Sequence, residues 1–218
     1  MSFQTIIDNA TFLTINKRKT TAISVSRSGH VKTAERQPSV YSLTVGTHAG
    51  LKYSENRGVL EDIDTADRVV EANVSLNNNS GMNYLTAYQG DMDGGSLTMV
   101  GSNAKELYIN ASSATATSGN VLFKKGDFVQ PQGNTGTYRY PYQVTSDVNG
   151  IGGGQSNVTV PVHRPVLSQD GVSITSGGVR KGTEVRFHVK ATTCPTYSIV
   201  PHDRIAFDGN FEFVEIIT

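Results

Sequence analysis

Five histidines, one cysteine and a few close acidic residues are the groups through which this chain could do chemistry. His30, His48, His163, His188 and His202 never stand two or four residues apart, so no local pair can share a zinc ion. Cys194, beside Pro195, could meet a histidine only through the fold; as the lone cysteine it excludes an intrachain disulfide and is expected to be inert. The Gly-x-Ser-x-Gly spacing of a strained serine nucleophile is absent. Asp91-Met92-Asp93-Gly94-Gly95 opens like a calcium loop, but Gly95 and Ser102 stand where a further oxygen ligand and the closing glutamate are needed, so a turn is expected. Gly150-Ile151-Gly152-Gly153-Gly154 leads into a strand, whereas a phosphate cradle needs a helix N-terminus behind the glycines. Asp170, Glu184, Asp203 and Glu212 read as solvated strand residues rather than a carboxylate pair. The expectation is a protein that is not an enzyme and holds neither cofactor nor metal.

Residues suited to binding are easier to find. Tyr138, Tyr140 and Tyr142 alternate around Arg139. Such a run is either a strand face packed on a core or a sugar- or partner-binding platform, since tyrosine presents a flat apolar body and a polar tip. Charge is segregated although the net charge is zero. Lys17, Arg18, Lys19, Arg27, Lys32 and Arg36 face only Glu35 in one segment, and Glu55, Glu61, Asp62, Asp64, Asp67 and Glu71 face Arg57 and Arg68 in the next. These are either two solvated faces or complementary patches on neighbouring copies of the chain. With no basic surplus, general affinity for nucleic acid is not expected.

The elements that must position these groups are strands. Phe12, Leu13, Ile15, Ile23 and Val25 punctuate one or two strands around a Lys17–Thr20 turn, and Ser28-Gly29 marks a hairpin. Tyr41, Leu43 and Val45 share one strand face, and Pro38 before them suggests an edge or a break. Val59, Leu60 and Ile63 are spaced for a short helix capped at Asn56, and Met82, Leu85 and Tyr88 for a second. Val121 to Pro165 holds three or four short strands around a Lys125-Gly126-Asp127 turn, enough for a small barrel. Val185, Phe187 and Val189 form the clearest strand, and Asp208-Gly209 predicts a hairpin between Ile205–Phe207 and Phe211–Ile217. The fold class is therefore all-β with one or two short helices: a β-sandwich from residues 1–105 and 166–218, interrupted by a small β-barrel at 106–165. No apolar run is long enough to span a membrane, and the N-terminal segment lacks the basic start of a signal peptide.

Leu122 to Val129, then Tyr142-Gln143-Val144-Thr145-Ser146-Asp147-Val148, then Val158 to Val166 form an ordered pattern of turn, aromatic and strand residues. With Val185 to Val189 and the closing Phe207, Gly209, Phe211, Phe213 and Glu215, it resembles tail-tip proteins of tailed bacteriophages, the distal-tail and baseplate-hub rings of marine and cyanobacterial phages. The opening meander, with Ser26, Gly29, Arg36 and Tyr41, resembles tail-tube-like proteins more loosely. Tyr41 stands where tryptophan is expected, and Arg164-Pro165 where a double proline is common. The resemblance implies a tail-tube-like sandwich and a structural virion protein, assembled in the host cytoplasm into a ring, most often of six copies. The ring joins the tail tube to hub and fibre proteins, and phage DNA passes through its lumen without specific binding. A tail-tube subunit, or a carbohydrate- or receptor-binding module using the tyrosines, is the alternative. A closed ring needs head-to-tail contacts between two different patches. Lys17, Arg18 and Lys19 are the candidates for one patch, and Glu61, Asp62 and Asp64 for the other.

Overall fold

The computed structural model describes residues 2–18, 21–35, 38–47, 51–64, 71–77, 81–91, 96–112, 119–133, 138, 140–150, 155–168, 171 and 173–217. It is an all-β protein with two short α-helices. Two hydrophobic cores share the chain.

The first core lies under a five-stranded antiparallel sheet. Its strands are β1 (Ala10–Arg18), β4 (Val40–Thr47), β17 (Phe211–Glu215), β14 (Arg186–Thr193) and β5 (Glu71–Ser75), in that order. Register places Leu13, Val45 and Phe211 in one row and Ile15, Leu43 and Phe213 in the next. Phe187 and Val189 continue the surface opposite Val74 and Ala72. Because side chains alternate along a strand, this face is apolar and the other carries Thr14, Thr44 and Glu212, then Asn16, Ser42 and Val214.

Two helices cover the apolar face. Phe3, Ile6 and Ile7, at helical spacing, make α1 (Ser2–Asp8) an amphipathic turn that buries all three. The Gln4 amide bonds both the backbone N–H and C=O of Ser75, so it continues the ladder where β5 would otherwise end open. The second helix, α2 (Tyr53–Asp64), buries Val59, Leu60 and Ile63 as their spacing predicts. Its cap is not Asn56, which lies inside the element at a kink and bonds the Lys52 carbonyl. The Asp203 carboxylate accepts from the Ser54 N–H and hydroxyl, and the Asp203 carbonyl from the Tyr53 N–H. A tertiary contact thus does what a local N-cap usually does. Losing such a cap destabilises a helix, so Asp203→Ala is expected to lower the urea midpoint of unfolding, and Asp203→Asn to lower it by less.

Asp203 lies in the turn between β15 (Thr196–Val200) and β16 (Arg204–Asp208). These strands pair with each other as a two-stranded sheet, Arg204 of β16 also bridges Lys52, and Tyr197 bonds Asp64 at the end of α2. The hairpin expected at Asp208-Gly209 is therefore not formed: β17 turns away to pair with β14 and β4. Only the turn itself was encoded locally; the strand partner was settled by where Phe211 and Phe213 could be buried.

The second core is a barrel. Its strands are β10 (Tyr142–Gln143), β9 (Phe128–Pro131), β13 (Gly177–Lys181), β6 (Ser96–Asn103), β7 (Glu106–Ser112) and β12 (Gln155–Pro161). The bridge Val144–Val162, with the Thr145 N–H on Pro161 O and the His163 N–H on Gln143 O, joins the outer strands and closes the sheet on itself. A short pair, β8 (Val121–Phe123) and β11 (Val148–Asn149), adds to this core. The barrel takes in β6 and β13, so its strands run from Ser96 to Lys181, beyond the 106–165 expected from the sequence. The Lys125-Gly126-Asp127 turn is present. Buried Asp127 accepts from the Lys124 and Gln89 N–H groups, and burial raises its pKa. The helix expected over Met82–Tyr88 is a single 3-10 turn, Asn83–Leu85. Most of the glycine run (151–154) and of the calcium-like loop (92–95) lies outside the described residues, whereas Asp91 binds the Val121 N–H, a turn-stabilising role.

Candidate functional site

Where the barrel meets the sheet, an ion pair is fully buried. Arg164 follows the barrel-closing bridge, and Glu215 ends β17 with its side chain on the apolar face. Both side chains are 0 % exposed. The contact is bidentate, with Nη1 2.5 Å from Oε2 and Nη2 2.6 Å from Oε1. Nη1 also donates to the Ser39 carbonyl and Nη2 to that of Pro141, while Oε2 accepts the Tyr41 N–H. The guanidinium sits 5.4 Å from the Tyr41 ring centroid and 5.2 Å from that of Tyr142. Burial alone would lower the Arg164 pKa, but the hydrogen bonds and charge of Glu215 outweigh it and raise it. Burial pushes the Tyr142 hydroxyl up to about 12. No acid–base role at neutral pH follows from this cluster. It is a joint between two bodies, using the planar fork that suits arginine to carboxylate.

His163 belongs to the same joint. Its Nδ1 accepts the Gln143 N–H at 3.0 Å, so the neutral ring carries its proton on Nε2. Burial, with Arg164 and Lys17 nearby, lowers its pKa to about 3. On the polar face of the sheet, His188 lies between Asn73 (3.1 Å) and Glu71 (3.0 Å). No hydroxyl or thiol completes this pair into a nucleophilic triad among the described residues, and no group of three metal-ligating side chains occurs among them.

The tyrosine platform is not assembled. Tyr140 and Tyr142 are wholly buried in the barrel core, and the Tyr142 hydroxyl accepts the Leu167 N–H. Tyr138 alone reaches a surface, partly exposed, with Arg180 stacked 3.8 Å from its centroid. Alternating aromatics in a closed barrel point inward because that is where their area can be buried.

Of the proposed contact patches, Lys17 is exposed on β1, and Glu61, Asp62 and Asp64 are on α2, with Glu61, Asp62 and Asp64 all exposed. The Arg18 side chain and all of Lys19 lie outside what is described. Strand β4 is interior, between β1 and β17, so the edge expected at Val40–Val45 belongs to β1 instead.

Beyond Arg18 and Val40, where the β1–β4 ladder ends, the chain makes a separate two-stranded arm of β2 (Thr21–Val25) and β3 (Val31–Glu35). It turns at Ser26–His30, with Gly29 at φ +80°. Ile23, Val25 and Val31 are 66 %, 64 % and 61 % exposed, and Val25 faces Val31 in register. Arg27 and Lys32 are exposed on the same arm. The period-two pattern predicted the strands but also implied burial, which one chain does not supply. A two-stranded ribbon is marginal in water by itself, and a cluster of exposed aliphatic residues marks an interaction surface. No protein-family model matches the chain, and no curated protein matches it.

Proposed function

We propose that this protein is a structural subunit of a phage tail tip or baseplate, which closes into a ring through head-to-tail contacts and joins the tail tube to hub and fibre proteins. The observation that carries the reading is the uncovered edge strand β1 together with the exposed aliphatic face of the β2–β3 arm. Strand β1 has nine residues and no strand on its outer side among the described residues. An open edge strand and an arm that exposes Ile23, Val25 and Val31 are surfaces that natural proteins cover or use. The basic arm and the acidic α2 give it two unlike, oppositely charged surfaces, as a heterologous ring contact requires. The residues that carry the phage resemblance, Leu122–Val129, Tyr142–Val148 and Val158–Val166, lie largely in the barrel core and at its closure.

The test is assembly. The purified protein is expected to sediment as a closed oligomer and to appear ring-shaped in negative stain. Ile23→Asp with Val31→Asp is expected to give a folded monomer with an unchanged far-UV circular dichroism spectrum, since exposed substitutions within one chain alter its own stability by only about 0.5 kcal/mol. A wild-type protein that stays monomeric at high concentration would overturn the reading, as would rings indifferent to both substitutions.

A further inference from the structure

An open cleft of about 910 Å³ runs between the end of β5 and the barrel wall at β13. Arg180, Lys181 and Arg186 line it against Glu184 alone, a local positive surplus on a neutral chain. Two of these cations are stacked on aromatic rings: Arg180 on Tyr138 at 3.8 Å and Lys181 on Tyr88 at 4.2 Å. Stacking restrains long side chains before any ligand arrives, so less freedom is lost on binding. Among the described residues neither Arg180 nor Arg186 is in an ion pair. Gly182 keeps the wall close: at φ +56°, a Cβ there would lie 2.8 Å from the Tyr88 backbone nitrogen. Asn77, Ser96 and Thr183 add amide and hydroxyl groups to the lining.

The chemistry of this lining selects among anions. Tyr138 and Tyr88 each have a ring face under a cation, so those faces cannot stack bases as a single-stranded nucleic-acid groove does. Glu184 opposes a densely charged phosphodiester. An open trough rich in hydroxyl and amide partners suits a chain of hydroxyls with charges set apart. We propose that the cleft binds an acidic oligosaccharide, an extended sugar chain bearing spaced carboxylates, with Arg180 and Arg186 gripping the carboxylates. The inference rests on the cleft and holds whether or not the protein forms a ring.

Isothermal titration of the full chain with an oligogalacturonate tests it, with a neutral glucan oligosaccharide and a single-stranded DNA oligonucleotide in parallel. Saturable binding of the oligogalacturonate alone is expected. Arg180→Gln and Arg186→Gln should each weaken it about tenfold, the loss of one charged contact worth about 1.4 kcal/mol. Lys190→Gln, on the sheet's polar face, should leave it unchanged. Arg186 is exposed, so its variant keeps the test valid if the Arg180 variant is poorly folded. The proposal is overturned by failure of the wild type to bind the uronate, by equal binding of DNA or neutral glucan, or by uronate binding that Arg186→Gln leaves intact.

Discussion

Glu215→Gln is expected to lower the unfolding free energy by about 3–5 kcal/mol, the usual result of removing one partner from a buried ion pair. The substitution preserves shape and leaves an acceptor for the Tyr41 N–H, so the loss isolates charge from packing. What remains is a guanidinium 0 % exposed, with the Ser39 and Pro141 carbonyls as its other acceptors among the described residues. Those two neutral groups cannot replace a carboxylate at 2.5 Å. Arg164→Met combined with Glu215→Gln removes the stranded charge and is expected to be more stable than Glu215→Gln alone. Chemical denaturation of these two, of Arg164→Met alone and of the parent completes a double-mutant cycle. A change below about 1 kcal/mol for Glu215→Gln would mean that the pair is solvated and that the joint is held by packing alone. Because the pair ties strand β17 of the sheet to the closure of the barrel, the single variant should also loosen the coupling between the two cores.

Acid should destabilise the protein well before ordinary carboxylates titrate. An unfolded histidine titrates near 6.5, whereas folded His163 has a pKa of about 3. Between these values the unfolded chain holds one proton more than the folded one, so stability rises with pH and is lost as pH falls. The slope is up to about 1.4 kcal/mol per pH unit, or about 2 kcal/mol between pH 7 and pH 5. The cause is geometric as well as dielectric. Protonating Nδ1 would break its bond with the Gln143 N–H and add a cation near Arg164 and Lys17. The rings of Tyr41 and Tyr142 flank it and supply no counter-charge. His163→Asn, which keeps an acceptor near the Nδ1 position, is expected to flatten this slope whatever it does to stability at neutral pH. Urea midpoints for both proteins across the window decide the matter; parallel curves would assign the acid sensitivity to other groups.

Particular residues show what could be read in advance. Tyr41, Leu43 and Val45 formed the buried face their alternation predicted, as did Phe187 and Val189, while Val59, Leu60 and Ile63 formed the buried stripe of a helix. The helix α1 has the same kind of signal, at Phe3, Ile6 and Ile7, but the run is too short for its period to stand out. Glu215 carried a clue too: it falls in phase with Phe211 and Phe213, so the alternation already turned a carboxylate inward. Its partner could not be named, because Arg164 is distant in sequence and resembles any other arginine beside a proline.

Composition and period thus determined the all-β class, most strand positions and the lack of local motifs for metal or nucleophilic chemistry. Only the tertiary structure decided which strands pair, that Tyr140 and Tyr142 are core, that Ile23, Val25 and Val31 are exposed, and that Arg180 and Arg186 line one cleft. The reason is physical: alternation states that a strand has two unlike faces, which is a local property. What covers each face depends on surfaces contributed from elsewhere in the chain.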